Sequence, residues 1–244
     1  MSEILIIPDV HQRWWVIDKA VKEQEEHGYE LLFLGDFFDN YNDTLEEVEI
    51  TAHKVLELSK MPKVKLLLGN HDLPYRFWKH SPLLRCSGNR PEKEKVISSI
   101  LKPEDWERFH LFHQEFVGDE WWVFSHAGLH THFAHPIHGW TPEHLERICK
   151  EALDECMYAK VPNWLNAGLC RGGYERVGGI TWLDWNVEFA PIEGINEVVG
   201  HTTLRNPEVL TGVNSANYNL DTNSRHWAIW NNGVMKMTPI ESGL

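Results

Sequence analysis

Aspartate, asparagine and histidine occur in this chain in short groups, each placed directly after an apolar run. Asp9 and His11 follow Ile4-Leu5-Ile6-Ile7, Asp36 and Asp39 follow Leu31-Leu32-Phe33-Leu34, and Asn70 and His71 follow Val64 to Leu68. Further along, His126 follows Trp121 to Phe124 and His201 follows Val198-Val199, with Gly128 and Gly200 close by. Carboxylate, carboxamide and imidazole together suit borderline cations such as Mn, Fe or Zn better than a thiolate-preferring ion. Taken singly, the groups have ordinary readings. Asp9 could cap the helix that follows its strand, and Gly69-Asn70 is a common turn pair. Asp39 and Asp72 could be turn residues, and Asp72 is left out of the chemistry.

The apolar runs read as buried strands. Between them, residues 13–27 have helical character and stop at Gly28, and Thr44-x-x-Glu47 is a capping box opening a helix to about Ser59. This β-α-β-α-β rhythm predicts an α/β layered fold, in which sites assemble in the loops at the carboxyl ends of the strands. Residues 80–110 read as short helices and loops around Pro82, Pro91 and Pro103. Strands are expected over Leu111 to Phe116 and Trp121 to Phe124, and later at Val198-Val199, Tyr218 to Leu220 and Trp227 to Trp230. Thr141-Pro142 opens a helix whose apolar positions, Leu145 to Met157, keep helical spacing. The chain is expected to be one domain over residues 1–244, with a helical insert at about 130–178.

Bulk composition narrows the partners. The 244 residues carry a net charge of −13, which speaks against sequence-independent grip on nucleic acid but leaves a small phosphorylated substrate open, because bound cations reverse the local field. The four cysteines have neither metal-finger spacing nor disulfide density, and Cys149 and Cys156 read as apolar residues on one helix face. His130, His132, His135 and His138 read as loop histidines near the site entrance. The first strand is too short for a signal peptide or membrane span, so no membrane partner and a cytoplasmic location are expected.

Asp9-Val10-His11, Gly35-Asp36-Phe37-Phe38-Asp39, Gly69-Asn70-His71-Asp72, His126-Ala127-Gly128-Leu129 and Gly200-His201-Thr202 resemble, in order, the motifs of the calcineurin-like metallophosphoesterases. The resemblance implies a β-sandwich core flanked by helices, in α-β-β-α layers. It also implies two divalent cations, manganese first, with iron, zinc or nickel as alternatives. Asp9, His11 and Asp36 would hold one ion, with Asp36 bridging to a second held by Asn70, His126 and His201. His71 would be the general acid, oriented by Asp39, and a hydroxide bridging the metals would attack phosphorus.

Departures from the pattern bear on substrate. Phosphodiesterase and nuclease members often end in Gly-His-x-His, whereas Gly200-His201-Thr202-Thr203 lacks the second histidine. Asn219-Leu220-Asp221-Thr222 and Thr181-Trp182-Leu183-Asp184 resemble the branch of Ser/Thr protein phosphatases and symmetrical diadenosine tetraphosphatases. Asn40 stands where that branch usually has a phosphate-gripping arginine, and Gln12 where glycine usually follows His11. Arg171, Arg13 and Arg76 are candidates to replace the clamp, with Arg171 favoured because it precedes Gly172-Gly173. The expected activity is hydrolysis of a phosphomonoester or phosphoanhydride in a small molecule, nucleotide or phosphoprotein. A phosphodiesterase acting on nucleic acid or cyclic nucleotides, and a non-catalytic protein-binding scaffold, are the alternatives.

Overall fold

Apolar strands that alternate with amphipathic helices bury both sheet faces, and the computed structural model, which describes residues 3–81 and 84–240, shows how. Pro82 lies outside the described residues. The chain begins β1 (Ile4–Ile7), α1 (Trp14–His27), β2 (Glu30–Phe33), α2 (Leu45–Lys60) and β3 (Val64–Leu67). Gly28 closes α1 in the left-handed conformation. Thr44 and Glu47 form the capping box at the start of α2, each side chain accepting from the other residue's N–H. Such a cap is worth about 1 kcal/mol. Next come α3 (Leu73–Arg76), α4 (Pro91–Ile100), β4 (Phe109–His110), β5 (Phe112–Val117), β6 (Glu120–Ser125) and α5 (Pro142–Cys156), which Thr141 caps. The remainder is β7 (Ile195–Val199), β8 (Glu208–Gly212), β9 (Ser215–Asn219), β10 (His226–Asn231) and β11 (Val234–Pro239).

The strands form two sheets, in the orders β11-β10-β1-β2-β3-β4 and β5-β6-β7-β9-β8. Ile4 and Ile6 of β1 pack with Trp122, Phe124, Val198, Leu220 and Trp230. Leu5 and Ile7 face the other way, into a core with Val16 and Ile17 of α1 and Val48 and Val55 of α2. Burial on both faces explains why β1 and β2 read as continuous apolar runs rather than alternating ones. Within 130–178, α5 buries Leu145, Cys149, Ala152 and Cys156 in that same helix-facing core. Cys149 and Cys156 are free thiols on one buried face. No helix of the described residues is long and apolar enough to cross a membrane.

β1, β2 and β3 run parallel, as do β6 and β7. Their carboxyl ends therefore open on common edges, and the loops there carry the candidate residues.

Candidate active site

The loops after these strands are unusually tight. His11, Gln12, Asp36, Asp39 and His201 all have positive φ, a region that non-glycine residues seldom occupy. Backbone strain of this kind gathers at functional sites, where surrounding structure fixes it. Glycines allow the carboxylates to approach the backbone. A Cβ on Gly69 would stand 2.0 Å from Asp36 Oδ1, and one on Gly200 would stand 2.2 Å from Asp9 Oδ1. Asp72 ties two loops together, its buried carboxylate accepting from the N–H groups of Asp36, Phe37 and Gly69 at 2.7, 2.9 and 2.9 Å.

Asp36 sits at the middle of the cluster. Its Oδ1 accepts from the N–H of His71 at 2.8 Å. Its Oδ2 lies 3.6 Å from His11 Nε2 and 3.3 Å from His126 Nε2. Asp9 Oδ2 is also 3.6 Å from His11 Nε2. Backbone carbonyls fix the imidazoles: His11 Nδ1 is 2.8 Å from the carbonyl of Asp39, and His126 Nδ1 is 2.9 Å from that of Leu34. Each contact leaves Nε2 as the free ligand atom, an arrangement typical of metal-binding histidines. His126 Nε2 is 3.0 Å from Asn70 Oδ1 and 3.2 Å from His201 Nδ1.

The donor set fits cations. Asn70 Oδ1 faces only other electron-pair donors, on Asp36, His126, His201 and the Thr181 carbonyl. Asp9 Oδ2 is buried without a hydrogen-bond donor. Burial, with Asp221 and Asp36 nearby, pushes the Asp9 carboxyl well above its usual range. Burial also opposes the charge on Asp36, yet His126, His71 and His11 outweigh it and hold that carboxyl well below normal. His126, despite burial, is pushed up to about 9 by Asp36 and Asp9, whereas burial and His126 push His201 well down. Neighbours with such opposed demands for protons are reconciled when cations take their place.

Beside this cluster, His71 Nδ1 lies 3.1 Å from Asp39 Oδ2. Burial works against protonation of His71, but Asp36 and the bond to Asp39 raise its pKa well above the ordinary value. The structure thus brings Asp9, His11, Asp36, Asn70, His126 and His201 together, with the His71–Asp39 pair next to them.

The sequence profile described as calcineurin-like phosphoesterase matches residues 2–236. The chain belongs to the calcineurin-like phosphoesterases. It is accordingly a metal-dependent hydrolase acting on phosphate esters. No curated protein sequence matches it significantly. Among solved structures it is similar to the cold-active protein-tyrosine phosphatase of a psychrophilic Shewanella, at 14% identity and a TM-score of 0.60, over 98% of this chain and 78% of that one. It is also similar to a hypothetical protein from Pyrococcus horikoshii, at 12% identity and a TM-score of 0.52, over 100% of this chain and 89% of that one. At these identities the likeness is one of fold.

In this phosphoesterase the candidate site opens into a cleft of 220 Å³ lined by His11, Arg13, Asp39, Asn40, His71 and Thr203, among others. Arg13 lines that cleft, its guanidinium donating to Asn223. Arg171, favoured from sequence, instead lines an adjoining cavity of 620 Å³ with Trp182 and Cys86. Its Nε pairs with Asp184 Oδ2 at 2.7 Å and its Nη2 donates to Thr202 Oγ1 at 2.8 Å. Arg76 donates to the carbonyl of Phe109 and lines neither cavity. His130 and His132 line a third cavity, and among the described residues the histidines of that loop join no group that could hold a metal.

Three residues escaped sequence reading. Lys93, wholly buried on α4, places its ammonium 2.9 Å from Asp39 Oδ1 and 2.6 Å from Asp43 Oδ2. The Tyr75 hydroxyl donates to Asp39 Oδ1 at 2.5 Å. Cys86 brings its Sγ to 3.3 Å from His71 Nδ1. Pro91-Glu92-Lys93-Glu94-Lys95 looks like a solvated charge run, and only the helical phase against Ile97 hinted that Lys93 points inward.

Proposed function

We propose that this phosphoesterase hydrolyses a phosphomonoester or phosphoanhydride with two divalent cations, manganese first. The observation that carries the reading is the position of Asp36 Oδ2, within 3.6 Å of His11 Nε2 and 3.3 Å of His126 Nε2, beside a paired His71 and Asp39. Asp9, His11 and Asp36 would hold one cation, and Asp36, Asn70, His126 and His201 the other. When bound, such a pair supplies charge stabilisation at phosphorus and an activated water. Asp39 holds Nδ1 of His71 and leaves Nε2 to give its proton to the departing oxygen. The bond from Nδ1 to Asp39 favours the protonated ring for that task. Arg13 and Asn40, which line the same cleft, are the residues we assign to the phosphate oxygens.

Monoester or anhydride is favoured over diester because Thr203 occupies the position of the second histidine. Its hydroxyl donates to Asp221 Oδ2 rather than presenting an imidazole to the cluster. Nucleotides and phosphoproteins are the substrate classes to search first.

The deciding assay loads the purified protein with Mn2+ and compares p-nitrophenyl phosphate with its bis ester, with Asp36→Asn as control. Faster monoester turnover, lost together with bound metal in the variant, is the expected result. Preference for the diester would move the enzyme to the nuclease or cyclic-nucleotide side, and unchanged turnover in Asp36→Asn would end the two-cation reading.

A further inference from the structure

Three donor atoms of different chemistry meet at Nδ1 of His71. Asp39 Oδ2 lies 3.1 Å away and Cys86 Sγ 3.3 Å away, and the three lie within 4.8 Å of one another. Around a four-coordinate zinc, with nitrogen and oxygen at about 2.0–2.2 Å and sulfur at about 2.3 Å, neighbouring donors stand roughly 3.3–3.6 Å apart. The side chains are therefore spaced for a cation with little movement. The donor set differs from that around Asp36, which contains no sulfur. A thiol selects thiophilic ions, whereas the carboxylates, amide and imidazoles around Asp36 suit manganese.

We propose that Cys86, His71 and Asp39 form an inhibitory site for a thiophilic divalent cation, zinc or cadmium, separate from the pair of cations around Asp36. Access is open from two sides. His71 and Asp39 line the 220 Å³ cleft, Cys86 lines the 620 Å³ cavity, and Ser87 borders both. Water completes the coordination from the cleft. Binding forms one bond each to sulfur, nitrogen and oxygen and releases two protons to solvent, one from the Cys86 thiol and one shared by His71 Nδ1 and Asp39. The bound ring is a neutral ligand that holds its Nε2 proton far more tightly than an imidazolium does, and Asp39 no longer orients it. Protonation of the leaving group stops. This inhibition rests on the assignment of His71 as the acid, whereas the binding site itself does not.

Cys86→Ser keeps a polar atom against His71 Nδ1, and inhibition of each protein is read relative to its own cadmium-free rate. Cys170 is also a free, exposed thiol, and the test therefore uses a Cys170→Ser background. Manganese-loaded protein is titrated with Cd2+ while the near-ultraviolet thiolate-to-cadmium absorption and phosphate release from an alkyl ester, glycerol 2-phosphate, whose leaving oxygen needs a proton, are followed in parallel. The expected result is a band from one thiolate that rises as activity falls. Adding Cys86→Ser abolishes the band and weakens inhibition at least about tenfold, since losing even an outer-shell partner costs a metal site that much. Absence of the band overturns the site and leaves the proposed hydrolysis standing. Inhibition equally strong in the Cys86→Ser protein would place the inhibiting ion among the Asp36 ligands and overturn the inference. A Cys86-dependent band without inhibition would overturn the inhibitory role and the assignment of His71 as acid together.

Discussion

Lys93→Met retains most of the buried aliphatic stem and removes its charge. Asp39 and Asp43, both buried, then lose their common counter-ion. Breaking a buried ion pair by deleting one partner costs about 3–5 kcal/mol, because the remaining charge is stranded. Two features draw the value to the lower end. Asp39 keeps the Tyr75 hydroxyl and His71, while Asp43 keeps Arg90, the Gln12 amide and the N–H of Asn40. The expected loss is about 3 kcal/mol, and for a chain of this length it lowers Tm by roughly 6–12 °C. Calorimetry and urea unfolding of metal-free protein measure it directly. Adding Asp43→Asn removes one stranded charge and should restore part of the loss. A loss below about 1 kcal/mol, the range of exposed pairs, would refute the reasoning. A double variant no more stable than Lys93→Met would do so as well.

His71→Asn should keep its cations, measured by metal analysis, and lose about 10²–10⁴ in rate, most for alkyl leaving groups that need a proton. Equal loss for nitrophenyl and alkyl esters would remove His71 from the acid role. Gly200→Ala drives a Cβ to 2.2 Å from Asp9 Oδ1 and should weaken Mn2+ binding in calorimetric titration; unchanged affinity would show that Asp9 is not a ligand. Burial, opposed only in part by the N–H of Leu129, pushes the Glu197 carboxyl up from 4.5 to about 8. Between those values the folded chain holds more protons than the unfolded one, so this group makes stability fall as pH rises, by up to about 1.4 kcal/mol per pH unit. Glu197→Gln should flatten the stability profile of metal-free protein over that window, and an unaltered slope would refute the assignment.

The groups of candidate residues were legible because buried parallel strands are continuous apolar runs, which makes a polar residue at each end conspicuous. The same property made β1, β2, β3, β6 and β7 readable. β8 and β11 were missed because both lie at sheet edges and keep many side chains in solvent, so neither shows a buried run. The Asn232-Gly233 pair between β10 and β11, with positive φ at both residues, was the available hairpin signal. The contacts behind His71 and Asp39 could not be read in the same way. Lys93 and Cys86 reach Asp39 and His71 across 54 and 15 positions of sequence. Nothing in residue type separates them from surface charge and structural thiol. Sequence also favoured Arg171 over Arg13, for chain spacing cannot show that Arg171 is engaged by Asp184 and Thr202.

Gln12, which stands where the family pattern usually has glycine, has a consequence for engineering. Its φ of 63° is one that glycine adopts freely and other residues adopt at a cost of about 1–2 kcal/mol. Glycine is thus the relaxed choice there, and glutamine is retained with its amide 3.3 Å from Asp43 Oδ2. His11, Asp36, Asp39 and His201 share that conformation, and each is a residue of the candidate site to which we assign a role. A selection for heat resistance alone would therefore drift towards glycine or asparagine at these positions and return sturdy, inert proteins. Any stabilised version of this enzyme has to be chosen with turnover as a second criterion, or with these residues held fixed from the start.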